Sequence, residues 1–213
     1  MQSQLKIELN DIISGKIEVR FGTTIQAIAS YLREGAPTSE KAEHSKQIKE
    51  EETKKLRSYS SRHNLWVSDI DFSNYVSEGA EQKVYLKDSE FVFKLNDGIY
   101  YTSWLDYFYN LLLHNFFFED TAYALIGFTE YEGIFYAVVQ QSFVTITQNT
   151  ELEKVKEFMN SNGFVQIRNN DYLNKELGII LEDLHDENVL TKNNILYFID
   201  TVFYITPDFW HIE

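Results

Sequence analysis

The chain opens on short apolar repeats: Leu5, Ile7 and Leu9 alternate with polar residues, Ile12 and Ile13 follow, and Ile17, Val19 and Phe21 alternate again. Period-two spacing of this kind predicts short strands. Thr23-Thr24 then precede Ile25, Ile28, Tyr31 and Leu32, the spacing of an amphipathic helix capped by a threonine and ended by Gly35. Together these residues read as a small accessory element. From Gly35-Ala36-Pro37-Thr38-Ser39 to Lys54-Lys55 apolar residues nearly vanish, which predicts a linker running into a charged helix whose charges face solvent.

At Leu65-Trp66-Val67 aromatic and β-branched residues take over and persist to Val144. Residues 74–86 read as strand, glycine turn, strand, and Phe91-Val92-Phe93-Lys94-Leu95 as a third strand. Trp104, Leu105, Phe108, Leu111 and Leu112 are spaced three and four apart, so residues 102–118 are expected to form a helix with Thr102 or Ser103 as its cap. Residues 123–128 and 134–140 flank Glu130-Tyr131-Glu132-Gly133 as a hairpin. The result is a five-stranded antiparallel sheet with one inserted helix.

Gln140-Gln141-Ser142-Phe143 turns polar and leads into a crossover. Residues 151–160 predict a short helix with Leu152, Val155, Phe158 and Met159 inward, ended by Asn162-Gly163. Residues 164–174 show no period and read as irregular. Two apolar runs, Ile179-Ile180-Leu181 and Val189-Leu190, then bracket a polar loop, and Phe198-Ile199-Asp200 closes the next run. The class is α+β.

The composition narrows the function. The chain has 213 residues and no cysteine, which removes disulfides, thiolate nucleophiles and Cys-ligated zinc and suggests a reducing compartment. No apolar run reaches membrane-spanning length, so a soluble, cytoplasmic protein without a membrane partner is expected. A net charge of −14 argues against nucleic acid as a partner. The same charge repels a nucleotide triphosphate unless a metal ion neutralises the phosphates.

The chemistry concentrates in Asp183-Leu184-His185-Asp186-Glu187-Asn188 with Asp200 beyond it. An Asp, an Asn five residues on, and a second Asp after a hairpin are how a phosphoryl-transfer site collects a base and a divalent metal. Glu182, Asp183, Asp186 and Glu187 repel one another unless a cation or solvent offsets them, and a metal is the economical explanation. The alternative is an acidic loop capping two strands, with Asn188 and His185 bonding backbone. Lys94, a charge inside an apolar strand, either faces solvent or awaits an anion. His44, His63, His114 and His211 show no metal spacing and receive no role.

The order of these parts resembles the protein-kinase-like fold, and the Asp-Leu-His-x-x-Asn loop resembles its aminoglycoside-phosphotransferase branch. Gly79-Ala80-Glu81-Gln82-Lys83-Val84-Tyr85-Leu86, Asp183 to Leu190 and Phe198-Ile199-Asp200 are closest to the kinase-like domain of polyvalent proteins from phages and conjugative elements. The resemblance spans roughly residues 64–205. It implies two lobes: residues 61–141 as the N-lobe with its five-stranded sheet, residues 142–213 as a reduced C-lobe, and residues 1–60 as an accessory segment.

It further implies ATP and Mg²⁺ as cofactors. Asp183 would orient or deprotonate an acceptor hydroxyl, and Lys94 would hold the α- and β-phosphates. Asn188 and Asp200 would ligate Mg²⁺, and His185 would orient the loop or touch the transferred phosphate. Gly79 would cover the phosphates, and Gln140, Gln141 and Phe143 would form the hinge against adenine. The implied partners are a nucleotide and an acceptor, either a small molecule or a protein hydroxyl. A pseudokinase that binds nucleotide without turnover is the alternative, because Gly79 is the one glycine of its loop, Asp106 is the nearest acid on the helix after Lys94, and thirteen residues follow Asp200.

Overall fold

Helix α4 (Trp104–Phe117) joins the layers of the fold. The computed structural model describes residues 2–34, 45–79 and 82–211. Because α4 is apolar on nearly every face, it needs neighbours all round. Ser103 starts it as expected, its hydroxyl accepting the Asp106 N–H at 3.0 Å.

The expected five-stranded antiparallel sheet is present: β1 (Tyr75–Glu78), β2 (Gln82–Leu86), β3 (Phe91–Asn96), β4 (Ala124–Tyr131) and β5 (Ile134–Ser142), in spatial order β1-β2-β3-β5-β4. It meets α4 through Phe108, whose ring lies edge-on to Phe128 of β4. Past β5, helix α5 (Leu152–Ser161) leads into β6 (Val165–Arg168), β7 (Asp171–Asn174), β8 (Ile179–Glu182), β9 (Val189–Lys192), β10 (Ile195–Phe198) and β11 (Val202–Ile205). These form a four-stranded sheet, β11-β8-β7-β6, and a separate β9–β10 hairpin. Strand β11 packs on α4: Phe203 stacks on Phe117, and its N–H donates to Asn110 Oδ1 at 2.9 Å.

Several expectations need correction. The N-terminal residues form no strand: α1 (Gln2–Ser14) buries Leu9, Ile12 and Ile13 on one helical face while Ile7 stays exposed. The 3.6-residue period over the whole segment outweighs the short Leu5-Ile7-Leu9 alternation. Ile17, Val19 and Phe21 lie in the turn before α2 (Gly22–Glu34), so Thr23 and Thr24 sit inside that helix rather than ahead of it. Gly35, its expected terminator, lies outside the described residues. Ile25, Ile28 and Leu32 of α2 join the same buried core as Leu111 and Leu112 of α4.

The charged helix exists as α3 (Ser45–His63), but its charges do not all face solvent. Glu52 is 7 % exposed, and its carboxylate accepts the Trp104 N–H at 2.6 Å, at the first turn of α4. In α5 only Val155 and Met159 are buried, and Leu152 and Phe158 are exposed. Residues 164–174 are not irregular but include the β6–β7 hairpin. Its turn is Asn169-Asn170, with Asn169 at φ +41°. A second two-asparagine turn, Asn193-Asn194, joins β9 and β10 with both residues at positive φ, which asparagine tolerates well.

Candidate active site

Strand β3 carries Lys94 into the interior, where it is 3 % exposed. A buried ammonium requires a partner. Its Nζ donates to the Ile199 carbonyl at 2.6 Å and lies 5.5 Å from the centroid of the Tyr123 ring. The lysine therefore reaches across to the residue immediately before Asp200.

The loop after β8 is set by Leu184, which is fully buried and pins the chain between two polar residues. Asp183 adopts φ +67°, a left-handed conformation uncommon for a residue with a side chain. Its N–H donates to Asp171 Oδ1 at 3.1 Å, and the Leu184 N–H donates to Asn170 O at 3.1 Å, so the β6–β7 turn holds the bend. Strain of this type concentrates at functional positions. The Asp183 side chain is 59 % exposed.

Asn188 Nδ2 donates to both the backbone oxygen and Oδ2 of Asp183, each at 2.9 Å. His185 belongs to the same knot, with Nε2 lying 3.0 Å from Asn188 Nδ2 and 3.4 Å from Asp183 Oδ1. The Glu187 N–H donates to His185 Nδ1 at 3.2 Å. Asn188 also reaches the second acid by backbone, since its carbonyl accepts the N–H groups of Ile199 at 2.9 Å and Asp200 at 3.3 Å. Gln82 Nε2 donates to Asp200 Oδ2 from the sheet opposite.

Two adjoining hollows meet here. The first, about 600 Å³, is lined by apolar side chains, Val84, Val92, Phe143, Ile146 and Leu190, and by Lys94, Asn188 and Asp200. The second, about 510 Å³, holds Asp183 and His185 with Asp171, Glu182, Tyr100 and Tyr204. Gly79, Gln82, Glu187, Asn188 and Asp200 line both. Burial, together with the charges of Asp171 and Asp183, pushes the Glu182 carboxyl up from its ordinary value.

Of the residues singled out in the sequence, Gly79, Lys94, Gln141, Phe143, Asn188 and Asp200 line the first hollow, and Asp183 and His185 the second. Gln140 lies apart from these. Its register sets it in the ladder between β3 and β4, and its side chain accepts from Lys87 Nζ at 2.6 Å, so it lines neither hollow. The hollow instead reaches Ser142 and Val144. Gln141 is buried and donates to Thr121 O at 2.7 Å.

The four acids of the loop do not form a metal cage. Among the described residues, no three His, Cys, Asp or Glu side chains are grouped to hold an ion. Asn188 and Asp200 do offer hard oxygens on one wall of the first hollow, the donor type that Mg²⁺ takes when substrate oxygens complete its shell.

Sequence reasoning missed His114. It is fully buried on α4, one turn from Asn110, and its Nδ1 lies 2.6 Å from Thr201 Oγ1. Asp106, Asn110 and His114, polar and four apart on a mostly apolar helix, were the available signal.

No helix among the described residues is long and apolar enough to cross a membrane. Neither a curated protein nor a solved structure gives a significant match to the chain. One family model does match, over residues 49–207, from within α3 to the turn after β11. That span holds the buried lysine, the acid–histidine–amide knot and Asp200, and the chain belongs to the serine/threonine/tyrosine kinase family found in polyvalent proteins.

Proposed function

We propose that this chain is an ATP- and Mg²⁺-dependent phosphotransferase that moves the γ-phosphate to a hydroxyl of a small molecule or a protein. The observation that carries the reading is the shared wall. Asn188 and Asp200 line both the hollow containing Lys94 and the hollow containing Asp183. A nucleotide in the first hollow therefore ends where an acceptor in the second begins. The apolar lining, with Val84, Val92 and Leu190, suits a flat base, and Lys94 suits phosphates.

Mg²⁺, when bound, would neutralise phosphate charge that a chain of net charge −14 otherwise repels. Asn188 and Asp200 are the residues to hold it. Lys94 supplies a fixed positive charge, while Asp183, exposed and oriented by Asn188, takes or orients the acceptor proton. In this reading residues 61–141 and 142–213 are the two lobes, and residues 1–60 are an N-terminal accessory that shares their core. Gln82, seated on Asp200 Oδ2, supports a second reading in which nucleotide binds without turnover.

The test is transfer of labelled phosphate from ATP to the protein itself or to an added hydroxyl acceptor. Asn tolerates the left-handed backbone that Asp183 adopts, so Asp183→Asn is expected to keep the fold and to lose roughly 100-fold or more of the transfer rate. Undiminished transfer by that variant would sink the role given to Asp183. Nucleotide binding by the wild type without any transfer would select the second reading.

A further inference from the structure

The segment that carries Asp200 is fastened at almost every residue by buried side chains. Thr121 Oγ1 donates to Phe198 O at 2.5 Å, and Tyr123 Oη donates to Ile199 O at 2.9 Å beside Lys94 Nζ at 2.6 Å. The Phe203 N–H donates to Asn110 Oδ1 at 2.9 Å. Between them, Thr201 Oγ1 meets His114 Nδ1 at 2.6 Å, and both residues are essentially inaccessible.

The hydrogen-bond directions follow from the partners. His114 Nε2 lies 2.9 Å from the Thr121 carbonyl, which can only accept, so Nε2 carries the proton. Burial, with Lys94 nearby, holds the ring's pKa down to about 3, so it is neutral and Nδ1 is a bare acceptor. The Thr201 hydroxyl must therefore donate to it. One rotamer of Thr201 satisfies both groups, and any other leaves two buried polar atoms unpaired. Asp200 is the next residue along the chain.

The same Thr121 carbonyl also accepts from Gln141 Nε2 at 2.7 Å, and Gln141 lines the nucleotide hollow. A continuous run of buried hydrogen bonds thus links the inner wall of that hollow, through Thr121 and His114, to the residue beside Asp200.

We infer that His114 is a positioning residue: through Thr201 it fixes the Asp200 carboxylate in the orientation that receives Mg²⁺ with nucleotide. This rests on the kinase reading of Asp200, and the experiment separates the two. ADP binding is titrated with MgCl₂ in the wild type, Thr201→Val and Thr201→Ser, alongside ADP binding in EDTA. Valine keeps the shape and loses the hydroxyl, whereas serine keeps the hydroxyl.

The Mg²⁺ concentration for half-maximal binding is expected to rise on the order of tenfold in Thr201→Val, the scale of one buried hydrogen bond, and to return near the wild-type value in Thr201→Ser. Binding in EDTA is expected to be unchanged in all three. A Thr201→Val titration that overlays the wild type overturns the inference and leaves the kinase reading intact. Absence of any Mg²⁺-dependent ADP binding by the wild type overturns the reading of Asp200 and the inference with it.

A measurement on the wild type guards against a variant that fails to fold. The Ile199, Asp200 and Phe203 amides donate to Asn188 O and Asn110 Oδ1, and their hydrogen exchange should be as slow as that of the α4 core. Exchange at the rate of exposed loop amides would overturn the clamp itself.

Discussion

Glu52 makes a pH-dependent prediction that can be worked through from the structure. Its carboxyl sits at the first turn of α4, accepting the Trp104 N–H at 2.6 Å, with Asp106 close enough to repel it. Burial is the largest influence, and the pKa is pushed up from an ordinary 4.5 to about 7. The backbone N–H groups of Trp104 and Leu105 and the charge of Lys55 pull the other way without prevailing.

The sign follows from linkage. Below pH 4.5 the carboxyl is protonated in both folded and unfolded chains, and it adds no pH dependence. Between 4.5 and about 7 the unfolded chain releases the proton while the folded chain keeps it, so stability falls as pH rises. Above about 7 the cost is complete, about 3 kcal/mol at ~1.4 kcal/mol per decade of pKa difference.

Glu52→Gln keeps an oxygen to accept the Trp104 N–H and removes the titration. Urea unfolding of both proteins at pH 5 and pH 8 should show the variant gaining about 2 to 3 kcal/mol relative to wild type between the two conditions. Using the difference between proteins cancels the titration of groups they share. An equal stability gap at both pH values would refute the reasoning and return Glu52 to ordinary carboxylate behaviour.

Two further predictions concern glycines. Gly127 has φ +155°, and a Cβ there would lie 2.1 Å from Leu65 O, where the backbone pairs across to Phe128; Gly127→Ala should lower stability by roughly 3 kcal/mol or more in a urea melt. Gly79 is the contrast, because a Cβ there meets nothing within 4 Å. Gly79→Ala should leave the melting temperature unchanged, and any loss of nucleotide affinity then reports close approach of a phosphate to this turn; a large drop in melting temperature would contradict the open geometry.

Much of this site was legible in the sequence because its parts are local. An apolar run identified β3, though it left open whether Lys94 faces solvent or an anion, and the Asp183-to-Asn188 spacing identified the loop that now closes on itself through Asn188 Nδ2. The partners of those parts are long-range and had no local signal. Lys94 bonds the carbonyl of Ile199, 105 positions away, and His114 bonds Thr201, 87 positions away. Glu52 looked like one acid in a solvated run because nothing in α3 alone reveals that the N-terminus of α4 packs on it. The N-terminal strands failed for a different reason: three alternating residues match a strand by chance, and the helical face emerges only when Ile12 and Ile13 are counted with Leu5 and Leu9. Gln140 and Gln141 were equivalent in the sequence, and only the strand register shows that alternate side chains of β5 face opposite ways, Gln141 toward the hollow and Gln140 toward Lys87.

The central claim is that Lys94, Asn188 and Asp200 form a nucleotide–metal site, and calorimetric titration with ATP in the presence and absence of Mg²⁺ tests it most directly. Saturable binding is predicted, strengthened by Mg²⁺ and weakened about tenfold or more in Asp200→Asn, with the Mg²⁺ dependence largely lost in that variant. No saturable heat from the folded wild-type protein at millimolar ATP and Mg²⁺ would contradict the account.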